Sequence, residues 1–179
     1  ISTWEPGASI FRGDVRGDPL TVWSTRLLPF GSHAGGFDGD GLPGQRTLLV
    51  EDGIFRAYAA SQRYAAYLAV PATGDVADLE LSPGTVPAAE LLSEPHVEIV
   101  AWSWFSPEPT SGDFASEIRL GYLVEDGNCK PFSGGLLVGN LLEALADVRW
   151  SAETAFHGSY QGPTTARFAS LRVAPSRNA

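Results

Sequence analysis

The run GDFASEIRLGYLVEDGNCKPFSGGLLVGNLLEALADV, residues 112–148, decides the fold. Ile118, Leu120, Tyr122 and Val124 alternate with Arg119 and Gly121. That period of two places one set of side chains on each face of a strand. Glu125-Asp126-Gly127 closes a hairpin, because Gly127 adopts positive φ without a steric penalty. A Gly-rich passage over 133–139 leads to Asn140, which is placed to cap a helix over 140–147. Glu143 stands three residues on, where a capping box requires it. Leu141, Leu142, Leu145 and Val148 give that helix its apolar stripe.

Working outward, LVEDGIF at 49–55 echoes LVEDGNC at 123–129 and predicts a second hairpin over 47–58. One short echo is explained by shared turn chemistry, since Asp-Gly suits a tight hairpin loop, and it does not establish a repeat. Short helices are expected over 60–68 and 87–92, the second with Pro87 near its first turn. Leu79 and Leu81 indicate a brief strand. Residues 97–105, VEIVAWSWF, are apolar on both faces and read as a central strand covered on each side. A short strand is expected at 9–12, an extended segment at 20–28 and a closing strand at 165–173. Residues 29–46 and 151–163 read as loops, with five glycines between 31 and 41 forbidding a regular element in the first. The last six residues read as a frayed tail. The expected architecture is α+β: one β-rich domain over 1–179, mainly antiparallel, with hairpins and a few short helices.

With 179 residues, 44% of them hydrophobic and 18% charged, the chain can bury a core. A formal charge of −9 with no basic stripe argues against a nucleic-acid backbone or an anionic membrane as partner. No apolar run is long enough to span a bilayer. A single cysteine excludes an internal disulfide and suits a reducing, cytoplasmic setting. The chain has no Met and an irregular apolar start at Ile1, from which a missing N-terminal half, cleaved, disordered or separately encoded, is expected.

Familiar catalytic constellations are absent: no HExxH, GxSxG, Walker or dinucleotide-binding pattern occurs. His33, His96 and His157 are scattered, whereas a catalytic zinc site wants three protein ligands and one open position. His33, His157 and Cys129 could in principle meet as ligands, His157 and Cys129 being the candidates kept, but nothing in their spacing says so. The plainer reading of Cys129 is a small, partly buried hydrophobe. The FDGDG run at 37–41 has acidic spacing suggestive of a calcium loop but lacks the rest of a twelve-residue loop, so a surface loop is the simpler reading. Asp113 and Glu117 flank a strand start and read as turn-capping groups. The glycines of 133–139 would cradle phosphate only if they wrapped onto a helix start.

Three segments in fixed order carry a resemblance. Gly112-Asp113-Phe114, GYLVEDG at 121–127 and Gly139-Asn140-Leu141 are similar to the Gly-Asp-Phe-Ser segment, "GYLIENG" hairpin and "GNL" helix start of the TldD/PmbA family. This is a metallopeptidase family with an older "modulator of DNA gyrase" label. Upstream, FDGDGLP at 37–43 resembles the family's "fD.EG.p", with Asp40 on its acidic position. The resemblance covers roughly residues 14–174 and concerns the family's C-terminal domain.

The resemblance implies a subunit of a zinc peptidase whose two histidines come from an HExxxH helix upstream of this region, with a third ligand, a Cys, from a Gly-rich loop before the last strand. The matching loop here, FHGSYQGP at 156–163, holds no Cys, and Tyr160 falls about where the ligand would stand. A neutral phenol is a poor zinc ligand beside a thiolate. The chain therefore resembles the non-catalytic partner type. No catalytic residue and no cofactor are expected in it, and the zinc is expected in a TldD-like partner. Phe37, Asp40, His157, Tyr160 and Gln161 are the candidates to contact an extended peptide. The expected partners are that catalytic subunit, the chain's own missing N-terminal half, or both. Two alternatives stand beside this: a stand-alone module that binds peptides or proteins, and the C-terminal part of an active zinc peptidase in which His157 replaces the Cys.

Overall fold

The computed structural model describes residues 4–174. From the N-terminus the elements are β1 (Val22–Thr25), β2 (Arg46–Glu51), β3 (Ile54–Phe55), α1 (Gln62–Leu68), β4 (Asp78–Leu81), α2 (Ala88–Leu91), β5 (His96–Trp102) and β6 (Asp113–Glu125). They continue with β7 (Asn128–Phe132), β8 (Leu136–Asn140), α3 (Leu141–Ala144), β9 (Arg149–Trp150), β10 (Thr154–His157), β11 (Tyr160–Pro163), β12 (Ala166–Arg167) and β13 (Arg172–Ala174). Three short helices among mostly antiparallel strands make this the β-rich α+β fold expected from the sequence.

One sheet has strand order β10-β11-β4-β1-β2-β3, and a second runs β13-β8-β6-β5, with β7 also on β6. Both Asp-Gly hairpins form. Asp52 and Gly53 have φ of 49° and 77°, and Asp126 and Gly127 have 49° and 76°. Two consecutive positive φ values are what a two-residue loop matched to strand twist requires. The first half of β6 pairs with β8 and the second half with β7, while β5 lies along its other edge. Phe114, Ser116 and Ile118 are buried and alternate with exposed neighbours, so β6 is the spine of the second sheet.

Two apolar clusters hold the strands. Ile10, Leu20, Val50, Phe55, Val148 and Trp150 form one. Phe114, Ile118 and Leu137 form the other, with Ile99, Phe132, Leu141 and Leu171 against it.

Several expectations are corrected. Residues 97–105 are not a central strand. β5 ends at Trp102, pairs among the described residues only with β6, and leaves Val97, Val100 and Trp102 between 42% and 52% exposed. Apolar side chains on both faces look alike whether a strand is buried or at an edge, and register irregularities near Ala101 bend this one. Residues 151–163 are not a loop: 154–163 form the β10–β11 hairpin, with Gly158 at φ 58° in its turn. The closing strand over 165–173 is two strands in different sheets, β12 on β9 and β13 on β8. The Gly-rich passage contains a strand, β8, so Gly134 and Gly135 are separated from the helix start and do not wrap onto it. At 9–12 there is only a single bridge, Ser9 to Ile54. Of the predicted tail, residues 175–179 lie outside the described residues.

Helix α3 is shorter than expected, and Asn140 caps it as the sequence indicates, whereas the Glu143 side chain makes no reciprocal capping-box bond. Asn140 Oδ1 accepts from the Leu142 and Glu143 amides, and its Nδ2 donates to the Ser111 carbonyl and to Asp113 Oδ1. Asn140→Ala is expected to lower stability by about 1–2 kcal/mol, the upper part of the range for a lost cap, because four bonds go at once. Urea unfolding measures it. The bond from Asn140, then that from Ser111, lowers the pKa of Asp113 below its ordinary value of 3.8. The stabilisation from this carboxylate is present above that value and is lost as pH falls through the lowered one.

Candidate functional site

The two loops that carry the candidate residues meet. Strand β4 lies between β1 and β11 and runs parallel to β11. The Leu79 amide donates to the Ser159 carbonyl at 2.8 Å, and the Ser32 amide donates to the Gly158 carbonyl at 3.1 Å. The 156–163 hairpin turn therefore sits against the 29–35 loop.

Beneath that junction lies Asp78, at the start of β4, with no exposed surface. Its carboxylate accepts from the His33 amide at 3.0 and 3.2 Å and contacts His33 Nδ1 at 3.0 Å. Burying a carboxylate is tolerated only when such bonds replace its hydration. Arg26 Nη1 donates to the His33 carbonyl at 3.1 Å, fixing the same residue from the other side. A Cβ on Gly31 would stand 2.1 Å from Asp78 Oδ2, so the loop passes over the carboxylate only as glycine.

Within the 37–43 turn, Asp38 Oδ1 accepts from the Asp40 and Leu42 amides, the self-bonded turn that Asp favours. Asp40 Oδ2 in turn accepts from the Gln62 amide at the start of α1. Both carboxylates of the FDGDG run thus serve the loop and the helix. Phe37 stands 71% exposed above them. Asp38 Oδ2 and Arg26 Nε are buried without a protein partner, and both residues line a cavity of about 10 Å³. That is space for one water, which complements an acceptor and a donor.

In the hairpin, exposed His157 pairs across the strands with Tyr160, and Gln161 pairs with Phe156 and with Glu80 of β4. The Tyr160 hydroxyl donates to the Pro163 carbonyl at 2.9 Å. Burial raises its pKa above 10.0. The phenol is therefore neutral at any physiological pH and offers no phenolate to a cation. The contribution of this phenol to stability is fully present below its ordinary value of 10.0 and is lost as pH rises through the raised one. An ultraviolet titration should show one tyrosine ionising late, and Tyr160→Phe should remove that component alone.

The five candidate contact residues fall in two groups, Phe37 and Asp40 on one loop, His157, Tyr160 and Gln161 on the hairpin, in loops joined at Ser32 and Gly158. Cys129 is not the partly buried hydrophobe expected: it is exposed on β7, in the other sheet from His157. Among the described residues, no three His, Cys, Asp or Glu side chains are grouped to hold a metal ion. The donors of the 156–163 turn, one imidazole and one neutral phenol, do not fit zinc by themselves. Among the described residues, no helix is long and apolar enough to cross a membrane. The pair His33–Asp78 was not legible in sequence. Its only trace is an Asp at the head of an apolar strand, 45 residues from a His in a Gly-rich loop.

A family model described as PmbA/TldA metallopeptidase C-terminal domain matches residues 7–175. The uncharacterized protein MJ0231 of Methanocaldococcus jannaschii is 25% identical over 154 residues, covering 78% of this chain and 37% of that protein. Among solved structures, TldE from Thermococcus kodakarensis superposes with a TM-score of 0.76 at 18% identity, covering 95% of this chain and 41% of that one. A protein described as a modulator of a DNA gyrase from Thermotoga maritima gives 0.76 at 19% identity, covering 94% and 40%. At such identities the structures speak for fold alone. The chain spans about two fifths of the length of these relatives.

Proposed function

Because the chain belongs to the PmbA/TldA metallopeptidase family, as its C-terminal domain, we propose that it is the non-catalytic part of a zinc peptidase assembly that degrades or processes extended peptides in the cytoplasm. The observation behind the reading is the junction at Ser32 and Gly158, which seats the 29–35 loop against the hairpin that holds His157 and Gln161. Among the described residues, β10 ends the first sheet and no strand pairs with its outer side. An extended peptide held there would gain affinity from backbone hydrogen bonds and specificity from alternate side chains. The zinc and its activated water are assigned to a TldD-like partner carrying HExxxH and a Cys loop. Here the chain's own residues bind and orient the peptide.

The test is co-purification of the chain with a TldD-like subunit, followed by hydrolysis of an unstructured casein-derived peptide. A stable complex is expected, with turnover well above that of either subunit alone and abolished when the partner's catalytic Glu is replaced. Equal activity from the partner alone overturns the reading. Peptide binding without any complex points instead to a stand-alone binding module. Zinc held stoichiometrically by this chain and lost with His157→Ala points to an active peptidase with an unusual third ligand.

A further inference from the structure

His33 is held more tightly than a surface histidine on a glycine-rich loop has reason to be. Its amide and its Nδ1 both meet the carboxylate of wholly buried Asp78, and its carbonyl accepts from Arg26. Gly31 keeps the space that lets the loop descend onto that carboxylate. The neighbouring Ser32 amide ties the loop to the Gly158 turn of the candidate hairpin. Yet the His33 side chain remains 50% exposed. Since the Nδ1 edge faces a group with no exposed surface, the edge that solvent reaches carries Nε2.

Chemistry sets what that edge offers. A carboxylate accepts and does not donate, so neutral His33 must carry its proton on Nδ1. Nε2 is then a lone pair in a fixed direction. We propose that His33 is a ligand-binding residue whose Nε2 accepts a hydrogen bond from a backbone N–H of an extended peptide lying over the junction of the 29–35 loop and the 156–163 hairpin. This rests on the peptide-binding reading given above. It adds a named contact and a polarity: the site accepts from an amide N–H, so an N-methylated amide or an ester at that position is rejected. Asp78 does not touch the peptide. It positions His33 and fixes the tautomer.

Two substitutions separate binding from loop anchoring. In His33→Asn the side-chain amide nitrogen takes the place of Nδ1 as donor to Asp78, but nothing stands at Nε2. In Asp78→Asn one carboxylate oxygen becomes a donor and the negative charge is lost, so the His33 amide and Nδ1–H, which both meet Oδ1, are left with a single neutral acceptor and the ring is held less firmly. The experiment uses the assembled complex and a fluorescein-labelled Ala-Gly-Ser decapeptide, read by anisotropy, with nitrogen-15 NMR of the imidazole for the tautomer. Wild type should show Nδ1–H, and His33→Asn should keep its thermal midpoint while peptide affinity falls about fivefold, the worth of one neutral hydrogen bond. One N-methylated position should lose affinity in wild type and not in His33→Asn. An Nε2–H tautomer in wild type, or unchanged affinity in a folded His33→Asn, overturns the assignment while leaving peptide binding intact. A wild-type complex that binds no decapeptide overturns both.

Discussion

Ile118→Ala is expected to destabilise the protein by about 2–5 kcal/mol, the range for emptying a large aliphatic site in a packed core. The thermal midpoint should fall by roughly 5–15 °C for a chain of this size. Ile118 is 1% exposed and sits in the middle of β6, among Phe114, Leu137, Ile99 and Phe132. Its amide donates to the Gly135 carbonyl, and its own carbonyl accepts from the Gly134 amide. Across the sheet it faces Trp102 of β5. Because β5, β7 and β8 all pair with β6, a cavity there loosens three strand pairings together. Calorimetry beside denaturant unfolding measures the loss. A change below about 1 kcal/mol would mean that this second core collapses around the gap, contrary to the packing described.

Gly84→Ala is expected to cost about 3 kcal/mol or more, at the upper end of what forced overpacking does. The added Cβ would lie 1.9 Å from the Trp150 carbonyl oxygen and 2.7 Å from its carbon. Both are backbone atoms, so no rotamer relieves the clash. The approach is held by the Gly84 amide donating to the Ser151 carbonyl at 3.0 Å and the Ala152 amide donating to the Val86 carbonyl at 2.8 Å. Relief means separating the segment after β4 from β9 and lifting Trp150 from the first core. Gly36→Ala is the control, since a Cβ there meets nothing within 4 Å. Its midpoint should match wild type, and equal loss in both variants would show that the steric argument is wrong.

Local chemistry was what the sequence made legible. Asp52-Gly53 and Asp126-Gly127 each specify a turn by the φ angles they tolerate, and Asn140 caps its helix over a span of three residues. The family resemblance likewise rested on contiguous segments, and it holds. What could not be read depends on partners distant in the chain. Whether VEIVAWSWF is central or peripheral is decided by what lies beside β5, and no feature inside the strand records it. The β10–β11 hairpin escaped because its Gly158-Ser159 turn is flanked by Phe156, His157, Tyr160 and Gln161, with no clean alternation. For the candidate site, the sequence named the two loops, but their junction at Ser32 and Gly158 and the Asp78 beneath it depend on the parallel pairing of β4 with β11.

That parallel pairing also dictates an order of assembly. Strands β1 to β4 are contributed by residues 22–81, whereas the two strands that complete their sheet come from 154–163. Residues 82–153 must leave the ribosome in between, roughly 4–14 s at ordinary rates of synthesis. During that interval the outer edge of β4 carries unpaired backbone groups, the kind of edge on which another chain can template. The nascent first sheet is thus the stretch for which a chaperone, or a slow-down in translation after residue 153, would matter most.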